Sequence, residues 1–436
     1  MPNPEAHPLI ALCYASGTDA RRFPELMQAI HDITQQAPER AVELLGPLEP
    51  HLQQAAAIST RMPSAWTDAL AESLQGIFGF SKTELQIIAA LLQGDSLAEF
   101  AAQRHRSLHT VRTQLKSALA RTPCRTQAEL MLLVRGLALV AAQEGAAAET
   151  AGDVVTTELA DGRRLCHIEY GAPDGQPVLL LHTALLGPEL PSSVAAAARQ
   201  SGLRILALAR PGYAGSSPPP PDDTDLNVVS GRIGEWLMRH DLPPLPVLGN
   251  VVGAIYAHAL AQACPQRVKR VVVCAGPVPL TRAHDETLPM SRRVWLQLVR
   301  RQPGLLLPFA RLGVGYVHTG HARRFLQTAY RAHPTDVAVL DDKTLVEELC
   351  PAVASAAAAG AERFVEAVRL QCRDWGTLRQ HSVPVTAVHG TADEIVDIGA
   401  VRAFYATEAV TPVAEAGQLL LYAKPQAVFA EVARTP

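Results

Sequence analysis

No Cys-x-x-Cys pair occurs anywhere in the 436 residues. The seven cysteines, at positions 13, 124, 166, 264, 274, 350 and 372, stand singly and are odd in number. That argues against a disulfide framework or a zinc site and suits a reducing compartment. No stretch approaches the roughly 18 apolar residues of a membrane span. The opening MPNPEAHPLIALCYASGTDARRF lacks the basic start and long apolar run of an export signal. A cytoplasmic protein with no membrane partner is expected. A large charge excess is missing as well: the formal net charge is −3, which argues against a wholly basic nucleic-acid coat but says nothing about local patches. Hydrophobic residues make up 48% and charged residues 19%, the balance of globular domains and not of disordered chains.

Single cores stop growing at roughly 250 to 300 residues, so this length calls for two or three domains. Up to residue 66 the texture is helical: FPELMQAIHDI and AVELLGPLEPHLQQAAAI place apolar residues three and four apart. So small a piece needs a neighbour or a second subunit to pack on. Residues 67–141 hold several short helical patterns with tight breaks, and 142–152, AQEGAAAETAG, read as a linker. From 153 to 436 short apolar runs such as PVLLLHT, RILALAR, PLPVLGN, VVVCAG and PVTAVHG alternate with helical stretches. This is the pattern of a mostly parallel sheet, with a helical cap inserted at about 278–380.

In the second segment, FSKTELQIIAALLQG sets Leu85, Ile88, Ala89 and Leu92 on one helical face, with Gly94 as the stop. Ser96 and Glu99 are spaced as a capping box, and a third helix opens at Ser107. Its Leu108, Val111, Leu115 and Leu119 face inward; His109, Thr110, Thr113, Lys116 and Ser117 face outward, with Arg112 on the flank. No acidic residue lies between Phe100 and Ala128, while Arg104, Arg106, Arg112, Lys116, Arg121 and Arg125 are all basic. In an acidic chain, that is a local patch suited to phosphate neutralisation by a helix in the major groove. From about 79 to 135 the stretch resembles the LuxR-type helix-turn-helix, on Glu84, Gly94, Ala101, Thr110, Val111, Leu115 and the closing RTQAELMLL. The resemblance implies a recognition helix from Ser107 to Leu119, a pairing helix from Thr126, and DNA contacts from Arg104, Arg106, His109, Thr110, Arg112, Thr113 and Lys116. It departs from the family in one respect: nearly 300 residues follow the module, which usually closes the chain.

The third segment resembles the α/β-hydrolase family in four stretches, in order: LLLHTALLG, ARPGYAGSS, VLGNVVG and HGTADEIV. VLGNVVG has the outline of a nucleophile elbow, yet its middle residue is Val251. The acid position implied by the resemblance is Asp393, and Gln418 stands where the base is expected. Valine cannot attack a carbonyl and an amide cannot take up a proton near neutral pH, so no hydrolase activity is expected. His182 and His389, at strand ends, read as hydrogen-bonded wall residues.

The expected architecture is therefore multidomain: an all-α N-terminal region with a LuxR-type helix-turn-helix, then an α/β-hydrolase fold with an inserted cap. Its expected function is transcription regulation. The remnant site, formed by His182, Thr183, Asn250, Val251, Val252, Asp393 and Gln418, is expected to hold a small, largely apolar ligand under the cap. Expected partners are double-stranded DNA and a second copy of the chain, with RNA polymerase a further candidate; no cofactor or metal is expected. Two other readings remain: a hydrolase-like domain used only as a dimerisation or protein-interaction scaffold, and an unorthodox hydrolase.

Overall fold

The computed structural model describes residues 7–18, 20–36, 41–59, 66, 68–92, 95–122, most of 124–134, 154–219, 226–279 and 303–434. Gly94, Arg125 and the 142–152 linker lie outside them. The first helices are α1 (His7–Thr18), α2 (Phe23–Gln36), α3 (Ala41–Leu45) and α4 (Glu49–Ser59). α1 and α4 meet at Gly17, where a Cβ would come within 2.6 Å of the Ala55 carbonyl oxygen. Their apolar faces do not close on themselves. Phe23, Leu26, Leu45 and Leu52 share one buried cluster with Leu305, Leu312 and Tyr316, more than 240 residues later in the sequence. The neighbour that so small a segment needs is thus part of the same chain.

A separate core forms where α5 (Asp68–Phe78), α6 (Lys82–Leu92), α7 (Leu97–Gln103) and α8 (Leu108–Ala120) meet. Leu74, Phe80, Ile88, Phe100, Val111 and Leu115 supply its interior. Both later helices start where the side-chain caps place them. Ser96 and Glu99 complete a capping box, and Ser107 Oγ accepts the Thr110 amide at 3.1 Å, satisfying amides that a helix start leaves without partners. Between α7 and α8 the chain turns through His105, at φ 51°.

From Val154 the chain builds an eight-stranded sheet. Its strands are β1 (Val154–Glu158), β2 (Arg164–Gly171), β3 (Gln176–Leu181), β4 (Leu203–Leu208), β5 (Leu245–Asn250), β6 (Val268–Cys274), β7 (Val385–Gly390) and β8 (Val410–Val413). Their order is β1-β2-β4-β3-β5-β6-β7-β8. β1 and β2 are antiparallel to their neighbours; all pairings from β3 onward are parallel. The crossovers carry α9 (Ser192–Gln200), α10 (Leu226–Arg239) and α11 (Gly253–Ala263). Between β6 and β7 lies the cap: α12 (Pro303–Tyr316), α13 (Ala322–Tyr330), α14 (Pro334–Val339), α15 (Lys343–Ala358) and α16 (Ala361–Gln371). α17 (Ile398–Tyr405) follows β7, and α18 (Leu420–Ala423) and α19 (Pro425–Ala433) close the fold. α12 packs on α4 on one side and on α16 on the other. Strand order reverses around β3, so the connections leaving β3 and β5 diverge and open a crevice at their carboxyl ends. Among the described residues no helix is long and apolar enough to cross a membrane.

Candidate functional site

The crevice begins at the turn from β5 into α11. Val251 sits there at φ 51°, so the sharp elbow is retained although its middle residue is β-branched. Such a conformation costs on the order of 1 to 3 kcal/mol. The flanking glycines show why the turn is tight: a Cβ on Gly249 would lie 2.4 Å from Ala254 Cα, and one on Gly253 would lie 2.0 Å from the Leu181 carbonyl oxygen. The Val251 amide donates to the Cys274 carbonyl at 2.9 Å, which ties the turn to β6. Asn250 is buried, with Nδ2 donating to the Tyr422 hydroxyl at 3.4 Å. Val252 is fully buried.

Beside the elbow, the loop after β3 is locked by its own polar groups. His182 Nδ1 donates to the carbonyls of Thr183 and Leu186 at 2.8 and 3.1 Å, and its Nε2 accepts the Arg210 amide at 3.2 Å. Burial, with the Arg210 charge nearby, holds this ring well below the usual histidine range. Both of its ring nitrogens are therefore engaged within the loop. Thr183 Oγ1 accepts the Leu186 amide at 2.9 Å, so the hydroxyl closes a local turn. Arg210 was not legible as a site residue, yet it organises the loop. Its guanidinium lies 4.8 Å from the ring centroids of both Tyr213 and Tyr256 and donates to the Thr183 carbonyl at 2.7 Å.

Asp393 is buried after β7, and its Oδ1 accepts the amides of Ile395 and Val396 at 2.8 and 2.9 Å. His389 Nε2 lies 3.5 Å from the other carboxylate oxygen and donates to the Val396 carbonyl at 2.8 Å. Gln418 follows β8, but the Gln418–Asp393 pairing that the sequence position suggests is not made. Gln418 Oε1 accepts the Tyr330 hydroxyl at 3.3 Å, and its backbone amide donates to Asp336 at 3.2 Å. Cap helices α13 and α14 have taken over both groups. The backbone amides of Ile395 and Val396 relieve part of the cost of burying the Asp393 carboxylate.

Between the cap and α2 lies a cavity of about 350 Å³. None of the seven residues expected to bind ligand lines it; their chain neighbours Ala184, Leu185, Glu394 and Ile395 do. The remaining walls come from α2, through Phe23, Met27, Ile30, His31 and Thr34, and from the cap, where Phe309, Val314, Phe325 and Phe364 dominate. Helix α2, far outside the sheet domain in sequence, therefore completes the pocket. The spacing of Phe23, Met27 and Ile30 marks one helical face, but nothing local to that helix names what the face meets.

The other candidate surface is α8. Val111, Leu115 and Ala118 are buried, while His109, Thr110, Arg112, Thr113, Lys116 and Ser117 are exposed. Arg104 and Arg106 are exposed in the preceding turn, with Arg104 6.0 Å from the Phe100 ring centroid. Arg121 is different: it lies 3.8 Å from the carboxylate of buried Glu84 and donates to the Gly79 carbonyl. It clamps the end of α8 to the start of α6 and is not a free cation of the patch.

The alpha/beta hydrolase fold family matches residues 176–412. No curated protein matches the chain. Among solved structures, the epoxide hydrolase CorEH, without ligand, is similar at 19% identity and TM-score 0.50, covering 64% of this chain and 96% of its own. A bromoperoxidase from Bacillus anthracis is similar at 14% identity and TM-score 0.48, with 64% and 98% covered. An esterase from Exiguobacterium antarcticum is similar at 15% identity and TM-score 0.46, with 64% and 97% covered. At such identities the likeness concerns the fold alone.

Proposed function

The chain belongs to the alpha/beta hydrolase fold family, and from that premise we propose that it is a DNA-binding transcription regulator whose hydrolase-like domain senses a small, largely apolar molecule and does not turn it over. The observation that carries this reading is the outward face of α8. A short capped helix packs by one side on α6 and α7 and presents His109, Thr110, Arg112, Thr113 and Lys116 to solvent on the other. That arrangement supports a LuxR-type helix-turn-helix with α8 as the recognition helix in the major groove. Arg21, in the turn before α2, pairs with Asp95, in the turn between α6 and α7, at 3.1 Å. An exposed pair of this kind contributes little stability, but it joins the cavity's own helix to the DNA-binding segment. One helix-turn-helix gains affinity by occupying two half-sites, so the reading includes a homodimer.

Selection of the full chain on random duplex DNA tests the proposal. Enrichment of a sequence with two related half-sites one helical turn apart is expected; recovery of unenriched DNA sinks it.

The non-catalytic half of the reading rests on the elbow and its surroundings. Val251 offers no nucleophile, both nitrogens of His182 are occupied, and the Gln418 carbonyl is bonded to Tyr330. Val251→Ser alone is therefore expected to give no turnover of p-nitrophenyl esters above buffer, because neither His182 nor Gln418 is placed to take the proton of the new hydroxyl. Turnover by either the wild type or this variant would return the protein to the enzymes.

A further inference from the structure

The cavity between α2 and the cap is apolar apart from a few groups, and most of those are engaged. Thr34 Oγ1 donates to the His31 carbonyl and Thr328 Oγ1 to the Arg324 carbonyl, both at 2.7 Å. Glu394 faces His333 at 3.6 Å. Arg331 stands apart: it lines the cavity, and its Nη2 is enclosed with no hydrogen-bond partner among the described residues. Burial lowers the pKa of the guanidinium and Asp32, which is not among the lining residues, only partly offsets this; the Asp32 Oδ1 already accepts from Gln28 Nε2. One guanidinium nitrogen of a residue on the wall of an otherwise apolar cavity thus lacks an acceptor, and a buried donor left unsatisfied is costly. A planar carboxylate is the acceptor that a guanidinium matches best.

We propose that this cavity binds an apolar monocarboxylate, with the carboxylate on Arg331 and the chain among Phe23, Met27, Ile30, Phe309 and Phe325. A volume of about 350 Å³, at about 30 Å³ per water-sized group, holds roughly a dozen non-hydrogen atoms. His31, on α2, supplies a second polar contact at the wall. The ligand touches α2 and the cap together, so its binding fixes the N-terminal helices against the sheet domain. The inference deepens the sensor reading and rests on it for its regulatory meaning, while the binding itself stands or falls separately.

The test compares decanoate with decanamide, its neutral isostere, by calorimetric titration of the full chain at pH 7. Decanoate is expected to bind at least tenfold more tightly, since only it supplies a charged acceptor. Arg331→Gln is expected to abolish that preference and leave decanamide affinity unchanged. Ala329→Phe, which fills the cavity from α13, is expected to abolish binding of both, with thermal melting confirming that the variant is folded. Equal affinity for the two probes, no binding of either, or a preference that survives Arg331→Gln overturns the inference. DNA binding measured on the same samples separates the two readings: decanoate bound through Arg331 with DNA affinity unaltered removes the sensor and keeps the site.

Discussion

Replacing Arg112 and Lys116 together by alanine is expected to weaken specific duplex binding on the order of tenfold or more at physiological salt, and to flatten its salt dependence by a log–log slope of roughly 1.8. Both side chains are exposed on α8. They lie one helical turn apart, on the same strip as His109 and Thr113, so a groove-bound helix brings both to the phosphate backbone or base edges. The core beneath depends on Val111, Leu115 and Ala118, which the substitutions leave alone, so helix content and melting temperature are expected to stay constant. Arg121→Ala is the instructive contrast. Its guanidinium holds Glu84 and the Gly79 carbonyl, so its removal should act chiefly through stability and only secondarily through phosphate contact. Mobility shifts at three salt concentrations check both expectations. Unchanged affinity and slope in a folded double variant would remove α8 as the recognition helix.

How much of this was legible in sequence depended on whether the determining interactions were local. The capping box at Ser96 and Glu99, the start of α8 at Ser107 and the elbow glycines are set by residues three or four apart, and all are where the sequence places them. The parallel strands β3 to β6 are buried along most of their length and read as apolar runs. β1 is half exposed, and β8 is a four-residue edge strand containing Pro412, a residue tolerated there because an edge leaves one ladder unused; neither gives a strong pattern. The cavity between α2 and the cap was not legible for a different reason. Sequence reasoning looked for a ligand at Val251 and Gln418, and this cavity's walls combine α2 with cap helices almost 300 residues later. An amphipathic face announces that it needs a partner without saying which. Charge counting failed similarly at Arg121, because a paired cation and a free one look alike in a string of letters. Gln418 has partners that its position in the sequence does not announce: Tyr330 of the cap donates to its side-chain oxygen, and Asp336 of the cap accepts from its backbone amide.

Glu189→Gln is expected to stabilise the protein at pH 8 by roughly 3 kcal/mol and at pH 5 by less than about 1 kcal/mol. Glu189 lies in the loop after β3, buried against the cap. Its Oε2 and Ser355 Oγ both come within 3 Å of where a Gly187 Cβ would stand, at 2.4 and 2.8 Å. Burial pushes its carboxyl up from 4.5 to about 7, because the lost hydration outweighs what its own backbone amide and Ser355 offer the carboxylate. The folded state then holds a proton that the unfolded chain has released between about pH 4.5 and 7. With the folded pKa raised, this group's stabilising contribution is complete below the unfolded value and is lost as pH climbs through the folded one. Above pH 7 the carboxylate must be buried charged, and a neutral amide of the same shape escapes that cost. Trp236 and Trp375, both buried in the sheet domain, report its unfolding by fluorescence in urea at the two pH values. Ser192, three residues on, is tied to Glu348 of α15 through its amide and hydroxyl, each at 2.7 Å. The loop therefore cannot swing Glu189 into water without breaking its hold on the cap. If the wild type and the variant show the same difference in stability at pH 5 and pH 8, Glu189 titrates normally and the loop is open to solvent.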